Sequence, residues 1–162
     1  YRYSVLPTTG AIAVVGLCGD HNATADTISE NAWFRSEASG AITVETDDTA
    51  NDNNDVATGT TLTTSDWIVA RIDCSVITSV KFYINGVRVA SGTTFDMSTV
   101  AGLKLQPVAR INKASGTGVG TIELDYIAIW QKLVDDYAQN KAKQNERRSF
   151  VRGKGKLDEE LK

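Results

Sequence analysis

Histidine occurs once in the 162 residues, and cysteine and proline twice each. No apolar run approaches the roughly 18 residues that a membrane-spanning helix needs. Each scarcity removes a class of function. His21 sits beside Asp20 with no Ser or Cys nucleophile pattern around it, so a Ser-His-Asp triad has no support. Cys18 and Cys74 show neither CxxC spacing nor clustered histidines, which excludes a zinc site. Both read as buried thiols, and their pairing is not legible from spacing. No basic-then-apolar leader opens the chain, and no membrane partner is expected.

What is present leans to β structure. Gly, Thr, Val, Ile and Asn/Asp abound, as expected of short strands joined by polar turns, and 41% apolar content supplies an ordinary core. The length suits one domain with an appendage: a sandwich over 1–131 and a charged arm over 132–162. Charge is divided the same way. Residues 131–162 hold nine Lys/Arg against six Asp/Glu, leaving eight against fourteen in the body, which speaks against nucleic acid as a partner.

Along the chain, Tyr1 to Leu6 alternates like a strand from the first residue, so the sheet is expected to be incomplete as given. Ala11 to Leu17 is a continuous apolar run closed by Cys18-Gly19-Asp20 and reads as a strand buried on both faces or leading into a turn. Ala32–Ser36 and Ala41–Thr46 alternate with period two around Ser39-Gly40, a hairpin. Asp47 to Thr64, rich in Asp, Asn and Thr, reads as a surface loop. Trp67–Asp73 reads as a strand with Ile68, Ala70 and Ile72 on one face.

Lys81 to Ala90 is the clearest local signal, since Asn85-Gly86 supplies both positive-φ positions of a type I′ turn. Ile84 then pairs with Val87 and Phe82 with Val89 on the core side, with Tyr83 opposite Arg88 on the other. Leu103 to Ile111 reads as a strand at an edge or a bulge because of Pro107. Thr121 to Trp130 reads as the last strand, with Leu124, Tyr126 and Trp130 on one face. Gln131 to Arg148 can be helical with a short stripe of Leu133, Val134 and Tyr137, and Gly153-Lys154-Gly155 precedes an arm that orders only against a partner.

In order, Ala32-Trp33-Phe34-Arg35, then Trp67–Asp73 leading to Val80–Gly86, then Leu124-Asp125-Tyr126-Ile127-Ala128-Ile129-Trp130-Gln131, resemble the concanavalin A-like lectin/glucanase jelly roll of bacteriophage structural proteins, over about residues 11–131. The resemblance implies an all-β, two-sheet antiparallel sandwich. Its concave face binds glycans in some members.

Candidate sites are sparse. Glu123-Leu124-Asp125 puts two carboxylates on one strand face, as a glucanase needs, but Ile127 stands where a third is required; both read as solvated or hydrogen-bonded strand residues. Asp47 to Asp55 offers hard oxygens without an Asp-x-Asp-x-Asp-Gly register, so a solvated loop is preferred to a Ca²⁺ site. No catalytic, cofactor or metal residue is assigned. Trp33 and Tyr83, opposite the core positions, are candidate glycan contacts, but burial of Trp33 within the sandwich and cross-strand pairing of Tyr83 with Arg88 are the preferred readings. Leu133, Tyr137, Arg147, Arg148, Phe150 and Arg152 are candidate docking residues of the arm. The expected function is non-enzymatic: a virion structural protein of capsid-decoration or head-fibre type on the capsid surface, binding neighbouring capsid subunits as a homo-oligomer. The alternative is a lectin-like adhesion module that binds surface glycans.

Overall fold

The computed structural model describes residues 1–21, 24–100 and 105–130. The chain divides into two compact units, Tyr1–Tyr126 and Ile127–Lys162, and of the second only 127–130 are described. The candidate arm residues Leu133, Tyr137, Arg147, Arg148, Phe150 and Arg152, the partly helical reading of the arm, and Leu103 all lie outside the described residues.

The first unit is mostly β, built of antiparallel sheets without barrel closure, and compatible with a jelly roll. Its strands are β1 (Arg2–Val5), β2 (Ala11–Cys18), β3 (Glu30–Glu37), β4 (Ala41–Asp48), β5 (Asp52–Thr61), β6 (Ala70–Asp73), β7 (Lys81–Ile84), β8 (Val87–Val89), β9 (Gln106–Lys113) and β10 (Thr121–Glu123). A five-stranded sheet runs in the order β5-β4-β3-β2-β9, a three-stranded sheet in the order β6-β7-β8, and β1 pairs with β10. Tyr1 and Ile68 exchange backbone hydrogen bonds of 2.8 and 2.9 Å, which joins the β1-β10 ribbon to the start of β6.

The main core lies between these layers. Ala13, Ala32, Phe34, Ile42 and Val44 of the larger sheet meet Tyr3, Phe82, Ile84, Phe95 and Met97. Phe82 is its hub, edge-on to Phe34 at 5.4 Å and to Phe95 at 5.0 Å between ring centroids. The apolar run Ala11–Leu17 becomes β2, next to the sheet's edge strand β9, with Ile12 and Val14 buried on one face and Ala11 and Ala13 on the other. The β3-β4 hairpin forms as the alternation expects, and Pro107 does sit in the edge strand β9.

Three expectations are corrected. Residues 52–61 are not loop but β5, the opposite edge of the sheet. An edge strand needs one ladder only, and with solvent along most of it the sequence shows no apolar period beyond Val56. Residues Asp55 (φ 50°) and Gly59 (φ 75°) adopt left-handed backbone there, and the register with β4 shifts twice. The strand expected over Trp67–Asp73 begins only at Ala70, although Ile68, Ala70 and Ile72 do share the core face. The strand expected over Thr121–Trp130 ends at Glu123.

The Asn85-Gly86 turn forms with φ of 50° and 81°, and the pairs Phe82↔Val89, Tyr83↔Arg88 and Ile84↔Val87 are as expected. Val87 departs from the pattern: it is exposed, because β8 is an edge strand with no facing layer over its first residue. Gly86→Val is expected to lower stability by about 1–2 kcal/mol through its positive φ alone, since nothing lies within 4 Å of a Cβ there. A denaturant midpoint equal to wild type would show that the turn tolerates an L side chain.

Candidate functional site

The parity of β3 sends Phe34 into the main core and Asn31, Trp33 and Arg35 to the other face of the larger sheet. That face is not bare. A 3₁₀ turn, Ala25–Thr27, and Ile28 lie across it, so Trp33 is 0% exposed in a second apolar cluster with Ile12, Val14, Cys18, Ala25 and Ile28. Trp33 therefore offers no ring to a sugar. The strand pattern located it on the correct face, but a cover supplied by a connecting segment has no periodicity to read.

Arg35, on the same strand, is buried among four carboxylates. Its Nη1 donates to Asp26 Oδ1 at 2.6 Å and to Glu45 Oε2 at 3.3 Å, its Nη2 to Glu37 Oε2 at 3.1 Å, and its Nε lies 3.2 Å from Asp55 Oδ1. Arg35 and Glu45 are buried, whereas Asp26, Glu37 and Asp55 reach solvent. Burial pushes the Glu45 carboxyl above its usual range, and Arg35 opposes this. Burial alone would weaken the guanidinium charge, yet Asp26, Glu37, Glu45 and Asp55 together hold it fully protonated. The Trp33 indole N–H is turned to Glu45 without closing a well-formed hydrogen bond, and Asn31 Nδ2 donates to Ile28 O at 3.1 Å. The arrangement clamps the covering turn, through Asp26, and the edge strand, through Asp55, onto the central strands.

Part of this cluster is legible in sequence, because alternation places Arg35 and Glu45 on one face of a hairpin. Asp26 and Asp55 are not, since one comes from a turn and the other is re-aimed by left-handed backbone.

The acidic stretch 47–55 is organised by Asp48. Its Oδ1 accepts N–H groups from Ala50 (3.1 Å) and Asn51 (2.6 Å), its Oδ2 accepts the Thr99 N–H (2.9 Å), and Asn51 Nδ2 approaches both oxygens. Thr99 Oγ1 also donates to Asp48 O. These oxygens are spent on hydrogen-bond donors, and among the described residues no group of three or more His, Cys, Asp or Glu is placed to hold a metal ion. Burial alone would raise the Asp48 pKa, but the N–H groups of Thr99 and Asn51 outweigh it and hold the carboxyl well below the usual range.

A depressed carboxyl contributes stability that is complete above its unfolded pKa and is lost as pH falls through the folded one. Asp48→Asn is therefore expected to cost about 2 kcal/mol at neutral pH, with the gap from wild type closing in acid. Thermal melts from pH 7 to pH 2 check this, and a gap that is constant with pH would contradict it.

The other candidates sit in the second layer. Glu123 pairs with Arg2 at 2.8 Å, and its pKa is lowered by Ser4 and Arg2, which suits an ion-pair partner and not a proton donor. Arg2 also lies 4.9 Å over the Trp67 ring, and Trp67 is 47% exposed. Tyr83 is half-buried, cross-strand from Arg88 on one side as expected and from Arg71 on the other, whose guanidinium lies 3.9 Å above its ring. A groove of about 310 Å³ opens between β9 and β10, lined by Ala109, Ile111, Ile122 and Leu124 among others.

Past β10 the apolar side chains turn outward. Leu124, Tyr126 (64%), Ile127, Ile129 and Trp130 (82%) are all exposed. No family model, curated protein or solved structure matches the chain.

Proposed function

We propose that the chain is a non-enzymatic assembly module that works by burying surface against neighbouring subunits. The observation that supports this best is the exposure of Leu124 (42%) and Tyr126 (64%) at the end of the first unit, with Ile127, Ile129 and Trp130 exposed at the start of the second. Each such side chain gains about 1.5–3 kcal/mol on full burial, which contact with a neighbouring subunit would supply. Three carboxylates are engaged: Glu123 by Arg2, Glu45 by Arg35, Asp48 by backbone N–H groups. The finer reading, a capsid decoration or head-fibre protein present in many copies on a virion surface, rests on the sequence resemblance to concanavalin A-like phage domains. The charged arm from 132 onward would add contacts to the acidic or basic faces of neighbours.

The test is incorporation. Tyr126→Ser with Trp130→Ser is expected to reduce copy number in the assembled particle about tenfold or more while the melting temperature of the isolated chain is unchanged. Wild-type occupancy with both substitutions would remove the row from the interface.

A second reading, a glycan-binding adhesion module, is favoured by Trp67, which unlike Trp33 keeps an accessible ring beside polar partners. Reproducible binding on a glycan array that is lost with Trp67→Ala would promote it.

A further inference from the structure

The two outer faces of the sandwich carry opposite charge. Both belong to the first unit and lie on opposite sides of the core that Phe34 and Phe82 share. Alternation along β6, β7 and β8 sends Ile72, Phe82, Ile84 and Val89 inward, and Arg71, Asp73, Lys81, Tyr83 and Arg88 outward. The register sets Arg71, Tyr83 and Arg88 in one row across the three strands, with Asp73 beside Lys81 in the next row. That face holds three cations against one carboxylate. Arg71 stacks on Tyr83 and Arg88 is exposed, and among the described residues no ion pair engages either guanidinium.

The outer face of the larger sheet has the reverse imbalance. Arg35 is shared by Asp26, Glu37, Glu45 and Asp55, and further along β4 Asp47 stands directly opposite Asp52 of β5. These six carboxylates share the face with Arg35 and with Arg110, which pairs across from the outward Val14. Asp26, Glu37, Asp52 and Asp55 are exposed. Like charges directly opposite on a strand pair repel. Burial raises the Asp47 carboxyl, and the charges of Asp52 and Asp48 add to that rise. Each face thus holds like charges that its own surroundings do not balance, and the sign it lacks is displayed on the other. The core keeps the two faces of one chain apart. Two copies can bring them together.

We propose that the outer face of β6-β7-β8 docks on the outer face of the larger sheet of a second copy of this chain. The contact joins two different surfaces, so it is heterologous and adds copies head to tail. Surface ion pairs are individually weak and screened by salt, so the contact works through several at once and loosens as ionic strength rises. It deepens the assembly reading by naming a second copy as the partner, but it rests on charge and not on Leu124 to Trp130.

Sedimentation of the full chain at up to about 1 mM tests the contact. Self-association is expected at low ionic strength and is expected to weaken about tenfold or more in about 1 M salt, where screening acts within about 3 Å. Two variants separate the surfaces. Arg71→Glu with Arg88→Glu reverses the basic row. Asp47→Asn with Asp52→Lys breaks the acidic pair, and the amide oxygen can still accept the Thr49 N–H that Asp47 accepts at 2.8 Å. Each variant alone is expected to lose self-association about tenfold or more with a melting temperature near wild type. An equimolar mixture is expected to form a one-to-one dimer, since each supplies the face the other lacks. Arg88→Glu alone, at an exposed position, reads the same face should the double variant unfold. A wild-type chain that stays monomeric at low salt, variants that associate as wild type does, or a mixture of folded variants that stays monomeric would overturn the proposal. Neither variant alters Tyr126 or Trp130, so the assembly reading fails separately, if the Tyr126 and Trp130 variant incorporates normally whatever the sedimentation shows.

Discussion

Arg35→Leu is expected to cost about 3–5 kcal/mol at neutral pH, because it strands the buried Glu45 without a cation and releases Asp26 and Asp55 from the turn and edge strand they hold. Glu45→Gln is expected to cost less, since Asp26, Glu37 and Asp55 still surround the guanidinium. The double variant Arg35→Leu with Glu45→Leu should recover much of the loss, as a buried pair replaced by apolar groups of similar size often does. The pH dependence has a definite sign. Without Arg35, burial raises the Glu45 pKa further, and a raised carboxyl penalises folding above its folded pKa and ceases to do so below its unfolded one. The gap between Arg35→Leu and wild type should therefore shrink as pH falls to 4. Urea unfolding of the three variants checks the scheme, and an Arg35→Leu unfolding free energy within about 0.5 kcal/mol of wild type would show that the cluster is not a clamp.

Gly16→Ala is expected to destabilise by about 3 kcal/mol or more, which is unusual for a single methyl group. Gly16 stands on β2 directly opposite Trp33 of β3. A Cβ there would lie 2.5 Å from Ala32 O, 2.6 Å from Trp33 Cα and 2.7 Å from Trp33 Cβ. All three belong to the neighbouring strand or the root of its side chain, so relief requires moving β3 and not turning a rotamer. Gly59→Ala is the matched control: it meets nothing within 4 Å and carries only the conformational cost of its φ of 75°, about 1 kcal/mol. Equal midpoints for the two alanine variants would mean that Gly16 is not held against Trp33.

How far the sequence is legible depends on where each strand's partners come from. β2, β3, β4 and the β7-β8 hairpin were readable because apolar period and turn chemistry agree there: Asn85-Gly86 dictates its own turn, and Phe34 and Phe82 mark one face each. β5 was not readable, since Asp52 to Thr61 form a strand only because β4 offers an edge, and their polar side chains record solvent, not pairing. Trp33 shows the converse. Its face follows from parity, but its burial depends on Ala25 and Ile28, which arrive from a turn without periodic signal. Trp67, unlike Trp33, keeps exposed ring surface, while Tyr83 is half-buried beneath Arg71. Leu124 to Trp130 keep the strand alternation in sequence, yet among the described residues the ladder stops at Glu123.

The measurement that bears most directly on the assembly reading is amide hydrogen exchange of residues 122–130, compared between the isolated chain and the same chain in its assembled particle. The expected result is rapid exchange beyond Glu123 in the isolated chain and protection of Leu124 to Trp130 on assembly. Equally rapid exchange of Leu124 to Trp130 in both states would contradict the account, because the exposed row would then remain in water where it is supposed to be buried.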